Sequence, residues 1–482
     1  MGNYGATEPR RYVSDIKDVT PLAQPLHFEF SGRTASNRFM KAAMTEQLSS
    51  WHPTDLSKRG IPTRSLIRAY ECWAKGEIGV ILTGNFMIFP DHLESVGDPV
   101  IPPDAPFHGE RFEAFKAMAA AGKSQGSIVL PQVSHPGRLS NEYFQKSPVS
   151  ASAVNVTQVD KKPVHFADPH EATHEEIRTI IDAFAHAAEY IEKAGFDGME
   201  VHGAHGFFLS SFLNVRTNIR TDQYGGSIQN RMRIYEELEV AIRKRVSRTF
   251  ILGIKINSVE FQESDLSVED AAKVCRMLEA HRFDFVELSG GSSENTMTGA
   301  EHEGEPVRES TMKREAYFLE FAEKIVPGLT KTKTYVTGGL RTVGGMVRAL
   351  ETVDGIGLGR PLILEFDLCK RLLAGEITGC IVQYMAMNEF WLSLMCGNRN
   401  IREVGLGNEP LELWDPEVMA ELREYYEIWV VNKSTDREYR GNYGVDSTEE
   451  MKDIDKNEPV HERRLIPHTV DGYRQPKLSL LF

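Results

Sequence analysis

Eight short apolar runs recur along the chain, each followed by a longer amphipathic stretch. The runs cover 38–44, 79–83, 127–133, 198–202, 251–256, 285–288, 335–337 and 355–358. Val, Ile, Leu and Phe dominate them, as in parallel strands buried on both faces. The stretches at 63–75, 109–123, 175–193, 231–248, 268–280, 314–325, 343–351 and 365–373 carry helical periodicity. Thr173 and Ser267 stand where N-caps belong, and Lys193-Ala194-Gly195 forms a stop signal. Such repeated units predict an α/β fold, a (β/α)8 TIM barrel. The competing open, doubly wound sheet lacks its mark, because no glycine-rich dinucleotide fingerprint follows the first strand. We expect the barrel over 20–396 and a C-terminal extension over 397–482. Within the extension, 433–455 is polar, charged and aperiodic, which suggests an extended or partly disordered arm.

Charge narrows the function. The chain has 55 Lys+Arg against 69 Asp+Glu, a formal net charge of −14, which argues against a general nucleic-acid binder. No run approaches the roughly 20 apolar residues of a membrane span. The N-terminus lacks the apolar centre of a signal peptide, and Ala6 breaks the myristoylation pattern. Five scattered cysteines (Cys72, Cys275, Cys369, Cys380, Cys396) form no C-x-x-C pair, so a reducing, cytoplasmic location is expected. The sequons at Asn155 and Asn432 read as chance matches.

In a barrel, function gathers where strands run into the following loops. The strand ends hold Met44-Thr45, Thr83-Gly84, Gln132 with His135, His202 with His205, Lys255 with Asn257, Ser289-Gly290-Gly291, Gly338-Gly339 and Gly359-Arg360. Glycine amides beside an arginine after the seventh and eighth strands make an anion cradle, or else simply shape tight turns. His202 and His205 could donate two N–H bonds to one substrate oxygen, serve as structural histidines, or begin a metal site. No third ligand has a place nearby, so no metal is expected. Lys255, inside an apolar strand, needs a job: offsetting negative charge on a ligand, acting as a Schiff-base nucleophile, or pairing with Glu287.

Two long segments then make the chain recognisable. Val201-His202-Gly203-Ala204-His205-Gly206-Phe207-Phe208-Leu209 and the block from Asn218 through Tyr224-Gly225-Gly226-Ser227-Ile228-Gln229-Asn230-Arg231 resemble the signature of the Old Yellow Enzyme family. The likeness continues at 37–45, 82–85, 132–138 and 357–361 and spans about residues 20 to 375. It implies an FMN-dependent NAD(P)H oxidoreductase, many relatives being ene-reductases. Ala43, Met44 and Thr45 would line the flavin ring, Thr45 bonding near its C4 carbonyl. Gly84 and Gln132 would meet the ring's polar edge, Lys255 would offset charge near N1, and Gly338, Gly339, Gly359 and Arg360 would hold the phosphate.

By the same resemblance, His202 and His205 would grip the activating oxygen of an electron-poor alkene, quinone or nitro acceptor in a ping-pong cycle, with NADH or NADPH as co-substrate. Three departures stand out. Lys255 replaces the usual arginine, Gln229 the usual glutamate, and Phe207 the usual proton-donating tyrosine. The resemblance also makes a homo-oligomer plausible, with neither membrane nor nucleic acid as partner. Different in kind would be an aldolase-type barrel using Lys255, or a non-catalytic ligand-binding barrel.

Overall fold

A computed structural model describes residues 8–156, 164–257, 268–289, 322–323, 326–383 and 389–435. Eight parallel strands close into a barrel: Phe39–Lys41, Val80–Met87, Ile128–Ser134, Gly198–Gly203, Ile251–Asn257, Phe285–Ser289, Lys333–Thr337 and Gly355–Leu358. Each pairs with its neighbours in chain order, and the eighth returns to the first through Gly357 opposite Met40. The fold is the expected (β/α)8 barrel rather than an open sheet. Helices follow the strands, one of them starting on a cap that the sequence signals. Thr173 and Glu176 form a reciprocal capping box at the start of His174–Lys193, and Thr63 caps Arg64–Lys75. Ser267, Gly290, Gly291 and most of the expected helix 314–325 lie outside the described residues.

The outer faces of the strands pack against the helices in one continuous apolar layer. A second cluster fills the end where the strands begin. Met40, Val80, Leu82, Leu130, Phe285 and Tyr335 meet Leu26 and Phe28 there. A short antiparallel hairpin, Leu26–His27 with Thr34–Ala35, contributes to that closure. Ligand access is therefore left to the opposite end, where the strands finish.

One irregularity matters for what lies there. Leu82 pairs with Leu130, but Asn85 pairs with Gln132, so the second strand carries one extra residue. This bulge at Thr83-Gly84 reverses the in–out alternation and turns Asn85 toward the barrel interior.

Among the described residues two helices follow the barrel. Phe390–Leu406 crosses the 396/397 boundary unbroken and lies on Arg64–Lys75, where a side chain at Gly405 would meet the Ser65 carbonyl at 2.6 Å. Pro416–Thr435 joins it through Trp391, Met395, Met419, Leu422 and Trp429. Phe166, in the segment after the third strand, packs on the same cluster. The expected arm at 433–455 therefore needs correcting at its start. Lys433 is a buried helical residue, its ammonium 4.8 Å from the ring centre of Trp429, because its long stem covers the tryptophans. Residues 436–455 lie outside the described residues. Among the described residues no helix is long and apolar enough to cross a membrane.

Candidate active site

The barrel interior is layered by strand register. Asn85, Gln132 and Glu200 are successive partners on the second, third and fourth strands. Two residues further along the fourth strand, His202 pairs in register with Lys255, and Lys255 with Glu287. Polar groups thus replace the apolar plug as the strands approach their ends.

Lys255 donates to Glu287 at 2.9 Å, with side chains only 5% and 0% exposed. Gln132 Nε2 donates to Glu200 at 2.7 Å. Burial and then the neighbouring charge of Glu287 push the Glu200 carboxyl well above the carboxylate range. Glu287 is also penalised by burial, but the Lys255 charge beside it helps to outweigh that and hold it down. Glu200 therefore carries the proton and Glu287 the charge. Of the three jobs open to Lys255 in the sequence, the structure shows the pairing with Glu287.

His202 and His205 stand at the end of the fourth strand, with His202 Nε2 and His205 Nδ1 3.0 Å apart. Burial, then the partner ring and Lys255, push His202 well below the usual histidine range. Burial and then Lys255 push His205 down to about 3. Both rings are neutral, and each neutral imidazole has one N–H. In the contact between the rings one nitrogen donates and the other accepts. His202 Nδ1 meets Asn85 Oδ1 at 3.0 Å and Ser134 Oγ at 3.1 Å, and His205 Nε2 meets Ser289 Oγ at 3.3 Å. Among the described residues no cluster of three or more His, Cys, Asp or Glu could hold a metal ion. Phe207 is 1% exposed, its ring centre 4.4 Å from that of His202, and it packs with Leu139 and Val156.

The remaining candidates surround the mouth. Ala43, Met44 and Thr45 leave the ladder after the first strand and are half-buried. Thr45 Oγ1 lies 3.1 Å from Asp98 Oδ1. Gly84 donates its amide to Glu46 at 2.9 Å, and a side chain there would meet Glu46 Oε2 at 2.2 Å and the Met44 carbonyl at 2.5 Å. Close approach of the first strand's end explains that glycine without any ligand. Gly338 (φ 144°) and Gly339 (φ 73°) adopt backbone that favours glycine, and both follow the seventh strand. At Gly359 a side chain would find nothing nearer than Met44 Sδ at 3.8 Å, so the backbone there faces open space.

Sequence reading missed a carboxylate group beside the mouth. Glu94 accepts from Asn85 Nδ2, and Asp98 accepts the Ser95 amide at 2.9 Å. Both interact electrostatically with buried Lys433.

Comparison with known proteins gives this geometry a family. The model of the NADH:flavin oxidoreductase / NADH oxidase family matches residues 21–376. The chain belongs to this family. The NADH-dependent flavin oxidoreductase nadA of Aspergillus parasiticus is 46% identical over 421 residues, 87% of this chain and 94% of that protein. The NADH-dependent flavin oxidoreductase iccE of Talaromyces variabilis is 32% identical over 361 residues, 71% of this chain and 84% of its own length. Morphinone reductase solved with tetrahydroNAD shares the fold at a TM-score of 0.58 and 24% identity, over 74% of this chain and 92% of that one.

The protein is thus an Old Yellow Enzyme-type flavin oxidoreductase that uses FMN and NAD(P)H. Its residues fit the cofactor. A flavin mononucleotide needs backbone donors for its phosphate and a polar edge for its ring. The open glycine backbone at Gly359 and the positive-φ pair Gly338-Gly339 suit the first, and Gln132 with the Lys255 charge suits the second.

Proposed function

We propose that this flavin oxidoreductase carries reducing equivalents from NADH to an electron-poor alkene, quinone or nitro compound, the two ligands using one barrel mouth in turn. The chemistry that FMN supplies when bound is hydride exchange, accepting from the nicotinamide and giving up from N5 to the second ligand. Ala43, Met44, Thr45 and Gln132 would line the ring, Gly84 would shape its edge, and Lys255 would place positive charge beneath it. Gly338, Gly339, Gly359 and Arg360 would hold the phosphate. NADH is favoured over NADPH by the two fungal relatives, both named as NADH-dependent.

The observation that carries this reading is the His202–His205 edge, with its nitrogens 3.0 Å apart at the end of the fourth strand. Such an edge orients an oxygen-bearing ligand and answers charge that develops on it. Phe207 has no proton to give, so carbon protonation must come from elsewhere. A Schiff-base role for Lys255 is disfavoured, since an ammonium ion-paired with Glu287 is not a nucleophile. The free cysteines suit the reducing cytosol, where we place the enzyme.

Anaerobic spectroscopy tests the proposal. The purified protein should be yellow, NADH should bleach it, and a quinone should restore the colour. Flavin that NADH cannot reduce would remove the proposed electron donor.

A further inference from the structure

We propose that Glu200 and Glu287 share one proton, which passes from Glu200 to Glu287 when the flavin is reduced and so frees the Lys255 charge to face the ring. The inference rests on reading the flavin as seated over Gln132 and Lys255. It adds how the charge beneath the ring follows the redox state.

The buried charges do not balance without that proton. Lys255 pairs with Glu287 at 2.9 Å, and Lys41 on the first strand answers Glu46 before Glu287. Glu200 is 0% exposed and is left with the Gln132 amide, 2.7 Å from its Oε1. A carboxylate without a counter-charge at this depth would be costly, so Glu200 is a neutral acid. Oε2 of Glu200 and Oε2 of Glu287 are both buried, and neither has a hydrogen-bond partner among the described residues. The two carboxyls nevertheless act on each other across the interior. Two ionised carboxyls can only accept, whereas an acid O–H on one Oε2 supplies the donor that the other lacks.

Register sets the direction of the transfer. Glu287 lies level with Lys255 and His202, and Glu200 lies two residues before His202, about 7 Å deeper along the strand. With the proton on Glu200, the negative charge sits beside Lys255 and cancels it toward the mouth. Hydride addition to a flavin brings one negative charge to the ring. The Glu200 O–H bond then breaks, an O–H bond forms on Glu287, and the negative charge moves one layer down, beside Gln132. No proton enters or leaves, and the Lys255 charge is free for the ring. Glu200 thus acts on the cofactor only through Glu287 and Lys255. The other ionisable neighbours are His202 and His205, both neutral, which feel Lys255, and His205 also feels Glu287. The Thr337 hydroxyl acts on Glu287 from the seventh strand.

The test measures the flavin midpoint potential and redox-difference infrared spectra of the flavin-loaded full chain. Reduction of the parent should shift the carbonyl stretch of a protonated carboxyl, and Glu200→Gln should remove that signal. Glutamine keeps the shape, accepts from Gln132 and offers an N–H to Glu287, but it cannot pass a proton. Glu200→Gln should therefore lower the midpoint by about 30 mV, a tenfold change for a two-electron couple and the worth of about one hydrogen bond. Glu287→Gln fixes the charge on Glu200 in both redox states and should hold the midpoint at or above that of the parent. Deleting a static negative charge would raise the midpoint in either variant, and deleting a static neutral acid would leave it unchanged.

An unchanged or raised midpoint in Glu200→Gln, with the midpoint still lowered in Lys255→Met/Glu287→Leu, would overturn the proposal alone. If that double variant also leaves the midpoint unchanged, the placing of the flavin over Lys255 falls as well. Should Glu200→Gln fail to hold flavin, the parent spectrum decides, because a protonated-carboxyl band that ignores reduction overturns the transfer.

Discussion

Lys255 and Glu287 are register partners on the fifth and sixth strands, and their Nζ and Oε1 atoms lie 2.9 Å apart in the barrel interior. Removing one member leaves the other charge buried without compensation. Lys255→Met should therefore cost about 3–5 kcal/mol of stability, whereas Lys255→Met with Glu287→Leu should recover most of it. Denaturant unfolding of the flavin-free proteins measures both. A single variant as stable as the parent would mean that the pair is not the buried contact seen here.

Arg360 follows the eighth strand beside the open backbone of Gly359. If it holds phosphate, Arg360→Ala should weaken FMN retention by roughly 1.5–3 kcal/mol, the worth of a charge-assisted contact. Flavin content after dialysis is the readout, and unchanged occupancy would count against the phosphate assignment.

How much of this was legible in sequence depends on local periodicity. The eight strands were, because buried parallel strands are continuous apolar runs, and polar residues at their ends therefore stood out. His202, His205 and Lys255 emerged that way. Glu200 sits two residues before His202 on the same strand face, a period-2 signal that was available and not used. Gly84 marks the second strand, where a close approach to Glu46 and a bulge both call for glycine. Lys433 was obscured by its own charge. Met419, Leu422, Tyr426, Trp429 and Lys433 follow one helical stripe, and the stripe reads as core only if a lysine stem is allowed inside it. Its tie to Glu94 and Asp98 joins segments more than 300 positions apart, which no local pattern can report.

The histidine pair should leave a mark on acid stability. His202 is held well below the usual range, and His205 is pushed down to about 3. Unfolded, both would titrate near the ordinary value of about 6.5. Below that pH the unfolded chain takes up protons that the folded chain refuses, so stability falls as pH drops from about 6.5 towards about 3. A His202→Asn/His205→Asn variant should lose stability less steeply over that window. Asparagine suits position 205, where φ is 63°. Equal slopes for parent and variant would mean that the rings are protonated in the fold.

Phe207 should set which acceptors the enzyme turns over quickly. Its ring lies against His202, with centroids 4.4 Å apart, at the place where the resemblance expects a proton-donating tyrosine. Hydride delivery to an enone without a carbon acid nearby leaves an enolate that must wait for water, return the hydride or shift its double bond. General-acid assistance is typically worth about 10²–10⁴ in rate, so simple enones should turn over slowly despite fast flavin reduction by NADH. Quinones and nitro compounds need no carbon protonation and should be the better acceptors. Phe207→Tyr should raise enone turnover while leaving quinone turnover nearly unchanged, and the comparison of the two substrates separates a proton-transfer effect from a general one. Fast enone reduction by the parent, with the proton delivered to a single face of the alkene, would show that another group at the mouth donates it. Glu200 and Asp98, the two buried carboxyls pushed well above the carboxylate range, would then be the first acids to replace.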